Sequence, residues 1–452
     1  MGERLVVIGA DAAGMTAASQ ARRRDRSLEV IAFEKGPFAS YAACGEPYYV
    51  SGDVDTLDDL IARTPEQFAK AGIDLRLHSE VMSIDLERRS VSVHNHEDGA
   101  TSETGFDQLL IATGARAFIP PMPGIDLDGV HTLRTLDDAH ALRILAEGEP
   151  GNIVIVGGGY IGVEVAEAFD VRGWTVTMVE ALPTIMARTL DEDFGAIIAE
   201  AMEKNDVNVV LGEMVERIEG DRHVTAVITS SETIPADIVV LAVGGRPVSE
   251  LAGEAGITLG ASGAIVVDDH QRTSVDGIWS AGDCADVYHR VTGTMVNLHL
   301  GTVANKTGRI AGINITGGDA SFPGALGTAI TRFHDLEIAV TGARLIDAES
   351  AGIDAVDVTV HGLTAAHYMP EASDLSIRLT VERGTARALG AQIAGGSGAG
   401  KRIDVFATAI WESMTADQLE WVDFAYAPPF APVWDLMAIA ARKASAAAVA
   451  TR

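Results

Sequence analysis

The stretch Asn152-Ile153-Val154-Ile155-Val156-Gly157-Gly158-Gly159-Tyr160-Ile161-Gly162 carries most of the information about this chain's fold. Its β-branched apolar run predicts a buried strand over 152–156, and the glycines predict a sharp turn into a helix over 163–172. Glycine is needed where the backbone turns, where it approaches a diphosphate, and where the helix meets the strand. The helix N-terminus then faces the phosphates. A second strand over 175–179 ends at Glu180, where an acid accepts both ribose hydroxyls and repels a 2′-phosphate. The residues after it, Ala181-Leu182-Pro183, offer no basic pair to such a phosphate, so NADH is expected in preference to NADPH.

The same pattern opens the chain. Apolar residues predict a strand over 4–8, then Gly9-Ala10-Asp11-Ala12-Ala13-Gly14, an alanine-rich helix through Arg24, and a strand over 28–33 ending at Glu34. Asp11 replaces the middle glycine. A carboxylate facing a diphosphate is unfavourable, so Asp11 is expected to point away from it. Segments 106–115 and 237–247 each predict a strand ending in a glycine turn, and 273–283 predicts a strand that delivers Asp283 at its carboxyl end. In a doubly wound sheet ligands bind at that edge, where an aspartate can bond a flavin's ribityl hydroxyl. The order of the pieces implies one nucleotide unit interrupted by another. The expected fold is α/β, with two Rossmann-like dinucleotide-binding domains (FAD and NAD) and a C-terminal α+β dimerisation domain. Its boundaries are 1–122 and 251–325 for FAD, 123–250 for NAD, and 326–452 for the interface domain. At 452 residues the chain is too long for one core. The alanine-rich run after Lys443 is predicted to fray.

One cysteine stands just beyond the first unit, in Ser40-Tyr41-Ala42-Ala43-Cys44-Gly45-Glu46-Pro47-Tyr48-Tyr49. The other, Cys284, is remote in sequence. A lone cysteine between two dinucleotide units suggests electron transfer between a flavin and sulfur, with the substrate supplying the second sulfur. Such a cysteine must ionise, so an electropositive, partly open setting is expected around Cys44.

Composition narrows the class. Hydrophobic residues make up 47 %, with 47 glycines, as in a soluble α/β enzyme. A formal charge of −30 excludes nucleic acid as a partner, because phosphates are repelled. No apolar run reaches the ~18 residues that span a bilayer, so no membrane role is expected. The N-terminus shows no leader pattern and the cysteines form no disulfide framework, which together point to a reducing cytoplasm.

At these residues the chain resembles the pyridine-nucleotide disulfide oxidoreductase superfamily over essentially its whole length. It is most similar to the single-cysteine branch and, within it, to coenzyme A-disulfide reductases. Ser40-Tyr41-Ala42-Ala43-Cys44 resembles that branch's Ser-Phe-x-x-Cys motif, and Pro47-Tyr48-Tyr49 its continuation. Gln20 and Arg23 match positions that hold coenzyme A, and Ala425-Tyr426-Ala427-Pro428-Pro429-Phe430 and His367-Tyr368 match segments whose tyrosines reach the partner subunit's cysteine. Ala43 departs from an asparagine that contacts substrate in the family. The paired cysteines and the C-terminal His-Pro…Glu base of glutathione and lipoamide reductases are missing.

The resemblance implies an NADH oxidoreductase that reduces a low-molecular-weight disulfide, coenzyme A disulfide or a related persulfide or polysulfide, in a homodimer with a shared active site. It implies Cys44, Tyr426 and Tyr368 as catalytic, the tyrosines protonating the leaving thiolate. For FAD it implies Gly9, Ala13, Gly14, Glu34, Lys35, Ser40, Val81, Ala112, Thr113, Gly114, Gly282, Asp283, Gly301 and Thr302. For NAD it implies Gly157, Gly159, Tyr160, Ile161, Gly162, Glu164, Glu180 and Gly244, and for substrate Thr16, Gln20, Arg23, Ser40 and Ala43.

Two other functions fit parts of the pattern. A single cysteine can cycle through a sulfenic acid in an NADH oxidase or peroxidase. Those enzymes carry a histidine where this chain has Ala12. A nucleotide-binding redox sensor or docking flavoprotein would not need Cys44 in this motif. Three further features are weaker. Gly395-Gly396-Ser397-Gly398-Ala399-Gly400-Lys401 imitates a phosphate-binding loop, but Arg402 replaces the Ser or Thr that binds magnesium, so a flexible loop between strands is expected. Cys284 is expected to be a small buried residue. His94 and His96 lie without further ligands, so no metal is expected.

Overall fold

The computed structural model describes residues 3–450. The first sheet is parallel, in the spatial order Ile278–Ser280, Gln108–Ile111, Arg4–Ile8, Glu29–Phe33, Ile73–Arg76. Its central strand is wholly apolar after Arg4 because both faces are covered. The helices Ala12–Arg24 and Gly301–Ile315 cover one face. They touch closely through glycine: a Cβ on Gly308 would sit 2.3 Å from the Ala13 carbonyl oxygen, and one on Gly312 2.5 Å from that of Ala17. A three-stranded antiparallel sheet, Ser79–Asp85, Ser90–Asn95 and Thr101–Gly105, covers the other face.

The second sheet repeats the design in the order Asn208–Leu211, Thr175–Glu180, Asn152–Val156, Ile238–Leu241, Val130–His131. The helix after its glycine turn runs Tyr160–Asp170, starting inside the turn rather than after it. The two units are joined by a short ribbon in which Gly245–Pro247 pairs with Ala115–Ala117.

The C-terminal sheet is antiparallel, in the order Ala329–Phe333, Leu336–Gly342, Ala388–Gly395, Asp374–Glu382, Ala355–Leu363. One face packs the helices Ile403–Trp411 and Leu436–Val449. The alanine-rich run after Lys443 is helical to Val449 instead of frayed, because Ala440, Ala441, Ala444 and Ala448 are buried against this sheet. Thr451 and Arg452 lie outside the described residues. The edge strand Ala329–Phe333 meets the helix Tyr160–Asp170. Thr331 donates to Glu164 at 2.8 Å, Arg332 pairs with Glu167 at 3.3 Å, and His334 Nε2 lies 2.6 Å from Asp170.

The glycine-rich loop 395–401 links a strand to a helix, not two strands, and it grips a side chain. The amides of Gly398 and Gly400 donate to the Glu337 carboxylate at 3.0 and 2.7 Å. The cradle that would take a phosphate holds the protein's own anion. Among the described residues no helix is long and apolar enough to cross a membrane.

Candidate active site

Both fingerprint turns lie at the carboxyl edge of a parallel sheet, beside the point where strand order reverses, and there the crevice opens. In the first, Gly9 has φ +96°, and a Cβ on Gly14 would fall 1.9 Å from the Gly9 carbonyl oxygen. In the second, Gly157 has φ +106°, and a Cβ on Gly162 would fall 2.0 Å from the Gly157 oxygen. These glycines seat helix against strand. Gly114, Gly159, Gly244 and Gly301 are different: a Cβ on any of them would find nothing within 4 Å. Open space therefore lines both sheet edges, of the kind two extended dinucleotides fill, and the residues present fit them.

Glu34 Oε2 accepts from Ala10 N at 2.9 Å and its Oε1 from Gly36 N at 3.0 Å. Glu180 does the same with Gly158 N at 2.6 Å and Leu182 N at 2.8 Å. A carboxylate offers about four acceptor sites, so both retain capacity for a sugar hydroxyl. Asp11 turns to the cysteine loop, accepting from Tyr41 N at 3.1 Å, while Ser40 N donates to Ala10 O at 2.9 Å and Ser40 adopts φ +52°. The Asp11 carboxylate is thereby engaged with the loop. Burial raises its pKa to about 6.

Cys44 sits in the tight turn Ala43–Gly45, which runs straight into the helix Glu46–Ser51. It is exposed, whereas Cys284 is fully buried and unpaired beneath Ser280. The setting is open, but it is not electropositive as expected. Exclusion of water first, then the carboxylates of Glu164, Glu46 and Asp283, push the thiol above its ordinary pKa, and only Arg134 opposes them. The sequence around Cys44 contains Glu46, but Glu164 and Asp283 arrive from distant segments.

Arg134 is the residue the sequence pattern missed. It donates to Asp283 Oδ2 at 2.7 Å and to Ala115 O at 3.0 Å. Asp138, the acid of the capping box at the next helix, holds its backbone amide at 2.9 Å. No motif surrounds it, and only the capping signal Thr135…Asp138 marked its position. His299 stands nearby, its Nε2 2.7 Å from Asn297 Oδ1, with its pKa lowered by burial.

Thr16, Gln20 and Arg23 line one face of the first helix, Thr16 donating to Asn305 at 2.8 Å and Gln20 accepting from Arg23 at 3.0 Å. Ala112 and Thr113 are half-buried at a strand end, and Gly282 has φ +80° against Ala13. Lys35 and Thr302 are exposed. Val81 turns its side chain into the core, which leaves only its backbone for a ligand. Ile161 and Tyr160 are half-buried, and burial raises the pKa of the Tyr160 hydroxyl. Glu164 is held by Thr331, and burial raises its pKa to about 7.

Tyr368 and Tyr426 are brought together. Ala366 N donates to Pro428 O at 2.9 Å, and the Tyr368 hydroxyl helps raise the pKa of Tyr426 after water exclusion. They are not core aromatics: Tyr368 is 63 % and Tyr426 49 % exposed. Among the described residues no hydrogen bond joins either to the Cys44 loop.

Residues 3–308 match the family model of pyridine nucleotide-disulphide oxidoreductases, and residues 328–438 match the dimerisation domain of the same family. This chain belongs to that family. Family members are FAD-dependent enzymes that use NAD(P)H, and this chain is a flavin-dependent oxidoreductase of the same kind. A coenzyme A polysulfide/persulfide reductase of Pyrococcus horikoshii is 39 % identical over 444 residues, 98 % of each chain. An NADH oxidase of Methanocaldococcus jannaschii is 34 % identical over 443 residues, again 98 % of each. The solved NAD-dependent persulfide reductase of A. fulgidus superposes with a TM-score of 0.94 at 38 % identity, covering 98 % of this chain and 83 % of that one.

Proposed function

We propose that this oxidoreductase is a homodimer that uses NADH to reduce a coenzyme A-linked disulfide, persulfide or polysulfide through Cys44 alone. The observation that carries this is the contrast between its two sulfurs: Cys44 is open at the crevice and Cys284 is sealed in the core. An internal disulfide is therefore not available, and the second sulfur must come from the substrate. FAD would lie between the first glycine turn and the edge formed by Ala112 to Gly114, Gly282, Asp283 and Gly301, and would carry two electrons between nicotinamide and sulfur.

The chain's own residues do the rest. Arg134 supplies a cation facing both the first glycine turn and the thiol. The Cys44 thiolate attacks one substrate sulfur, forming a Cys44–substrate disulfide and releasing the other half as a thiolate, which takes a proton. Two electrons from NADH then cleave that mixed disulfide and restore Cys44, so that one NADH and one proton yield two thiols. Tyr426 and Tyr368, contributed by the partner chain, donate protons to the departing sulfur. In this scheme Thr16, Gln20 and Arg23 hold the nucleotide part of the substrate.

The test is anaerobic NADH turnover of wild type and Cys44→Ser with coenzyme A disulfide, a persulfide, peroxide and oxygen. Cys44→Ser should keep its flavin and its reduction by NADH, and lose disulfide and persulfide turnover. Undiminished turnover in that variant overturns the single-sulfur scheme. Oxygen reduction is the second reading, favoured by the name of the M. jannaschii relative. Ala12, an aliphatic side chain at the first helix start, provides no proton acceptor for it.

A further inference from the structure

The helix Glu46–Ser51 begins two residues after Cys44, and its first side chain turns inward. Glu46 is 3 % exposed, and its Oε1 has no hydrogen-bond partner among the described residues. A carboxylate left this way is strongly unfavourable unless it stays protonated. We propose that Glu46 is a positioning residue acting through Cys44: it keeps its proton at neutral pH, and its ionisation at higher pH opposes the Cys44 thiolate. This rests on Cys44 being the reacting sulfur.

The surroundings support the coupling. Glu46 faces Arg134 and Asp138 from the segment leading into the helix Leu136–Ala146, Asp11 from the first glycine turn, and Cys44 on its own loop. The helix Tyr160–Asp170, packed on the same short helix, adds Glu164, Glu167 and Asp170. Further along lie His140 and Arg143, bonded to Tyr49, with Arg172 on Ser51 and Arg332 over Tyr48 opposite Asp53. Among the described residues Arg134 faces both Glu46 and the thiol, and it is already committed to Asp283 and Ala115. Burial carries the Glu46 carboxyl up to about 8, with Arg134 opposing. Two acids two residues apart, the one raising the pKa of the other, do not both take a negative charge freely, so they titrate as a coupled pair.

The measurement is the rate at which iodoacetamide alkylates Cys44 in reduced, FAD-loaded enzyme between about pH 6 and about pH 10. In wild type the rise with pH should be shallow and spread over two steps. In Glu46→Gln it should be a single ionisation displaced downward by about one pH unit, making alkylation about tenfold faster on the rising limb. Glu46→Leu should move the same way, and Glu46→Asp should restore the shallow curve. Coincident curves for wild type and Glu46→Gln overturn the proposal. Should the variants lose FAD, infrared spectroscopy of wild type decides instead. A protonated carboxyl band persisting at neutral pH supports the proposal, and its absence overturns it. The Cys44→Ser control separates the two claims. If it is inactive while Glu46→Gln behaves as wild type, Glu46 fails and Cys44 stands. If it still reduces disulfide while Glu46→Gln shifts the alkylation curve, the coupling of Glu46 to Cys44 stands, but the single-sulfur scheme fails and with it any part of Glu46 in turnover.

Discussion

Glu34 and Glu180 occupy equivalent places in the two nucleotide units and make the same pair of bonds. Each takes one backbone amide from its glycine turn, Ala10 or Gly158, and a second two residues along, from Gly36 or Leu182. The acid after the second strand therefore braces the turn before any ribose arrives.

For Glu180 that double duty separates binding from stability. Glu180→Ala with Ala181→Arg removes the repulsion of a 2′-phosphate and adds a partner for it. The ratio of kcat/KM for NADPH over NADH should rise by about tenfold or more. Because two amides lose their acceptor, the melting transition should also drop, by about 1–2 kcal/mol in stability. Parallel kinetics with both nicotinamides and thermal unfolding of the same sample check both.

Arg134→Leu should weaken FAD retention and slow Cys44 alkylation at the same time. The guanidinium opposes the groups that raise the thiol pKa, so its loss moves that pKa further up and takes from Asp283 its ion-pair partner. Flavin content after gel filtration and iodoacetamide rates at fixed pH report the two effects. Normal flavin with normal alkylation would remove Arg134 from the site.

The exposed pair Tyr368 and Tyr426 yields a prediction about assembly. Neither Cys44→Ser nor Tyr426→Phe homodimers should reduce disulfide at full rate, but a heterodimer of the two should regain one intact site. Differently tagged chains, co-expressed and purified together, should recover about half the wild-type rate per dimer. No recovery rules out a site completed across the interface.

Glu46 also ties stability to pH. Its carboxyl titrates near 4.5 when exposed in the unfolded chain and at about 8 in the folded one. A raised folded value means that the native state holds the proton more tightly. The stabilisation is full below the unfolded value and is lost as pH climbs from about 4.5 to about 8. Glu46→Gln has no such proton to lose. Its Tm relative to wild type should therefore rise across that window and level off above it, as calorimetry at a series of pH values would record.

The two glycine fingerprints were legible because they encode backbone geometry, and φ values of +96° at Gly9 and +106° at Gly157 are what such turns require. The open lone thiol at Cys44 was legible for a similar reason: it depends on local residue type. Its electrostatics were not. Glu164, Asp283 and Arg134 converge on the sulfur from three segments over a hundred residues apart in places, and no local pattern reports their sum. The glycine loop at 395–401 was read as a flexible link between strands, and the partner that its amides hold, Glu337, could be seen only in three dimensions. The alanines after Lys443 misled because helix burial against a sheet depends on a face, and small side chains give that face little contrast in sequence.

The chain order of the first sheet also matters while the protein is being made. Its strands Arg4–Ile8, Glu29–Phe33, Ile73–Arg76 and Gln108–Ile111 leave the ribosome early, but Ile278–Ser280 and the helix Gly301–Ile315 come after the whole inserted unit. The inserted sheet needs only residues 130–241 and can close first. Until residue 312 emerges, the helix Ala12–Arg24 lacks the glycine-studded surface that covers Ala13 and Ala17. The half that is translated first is thus finished later, and until then its alanine face stays uncovered.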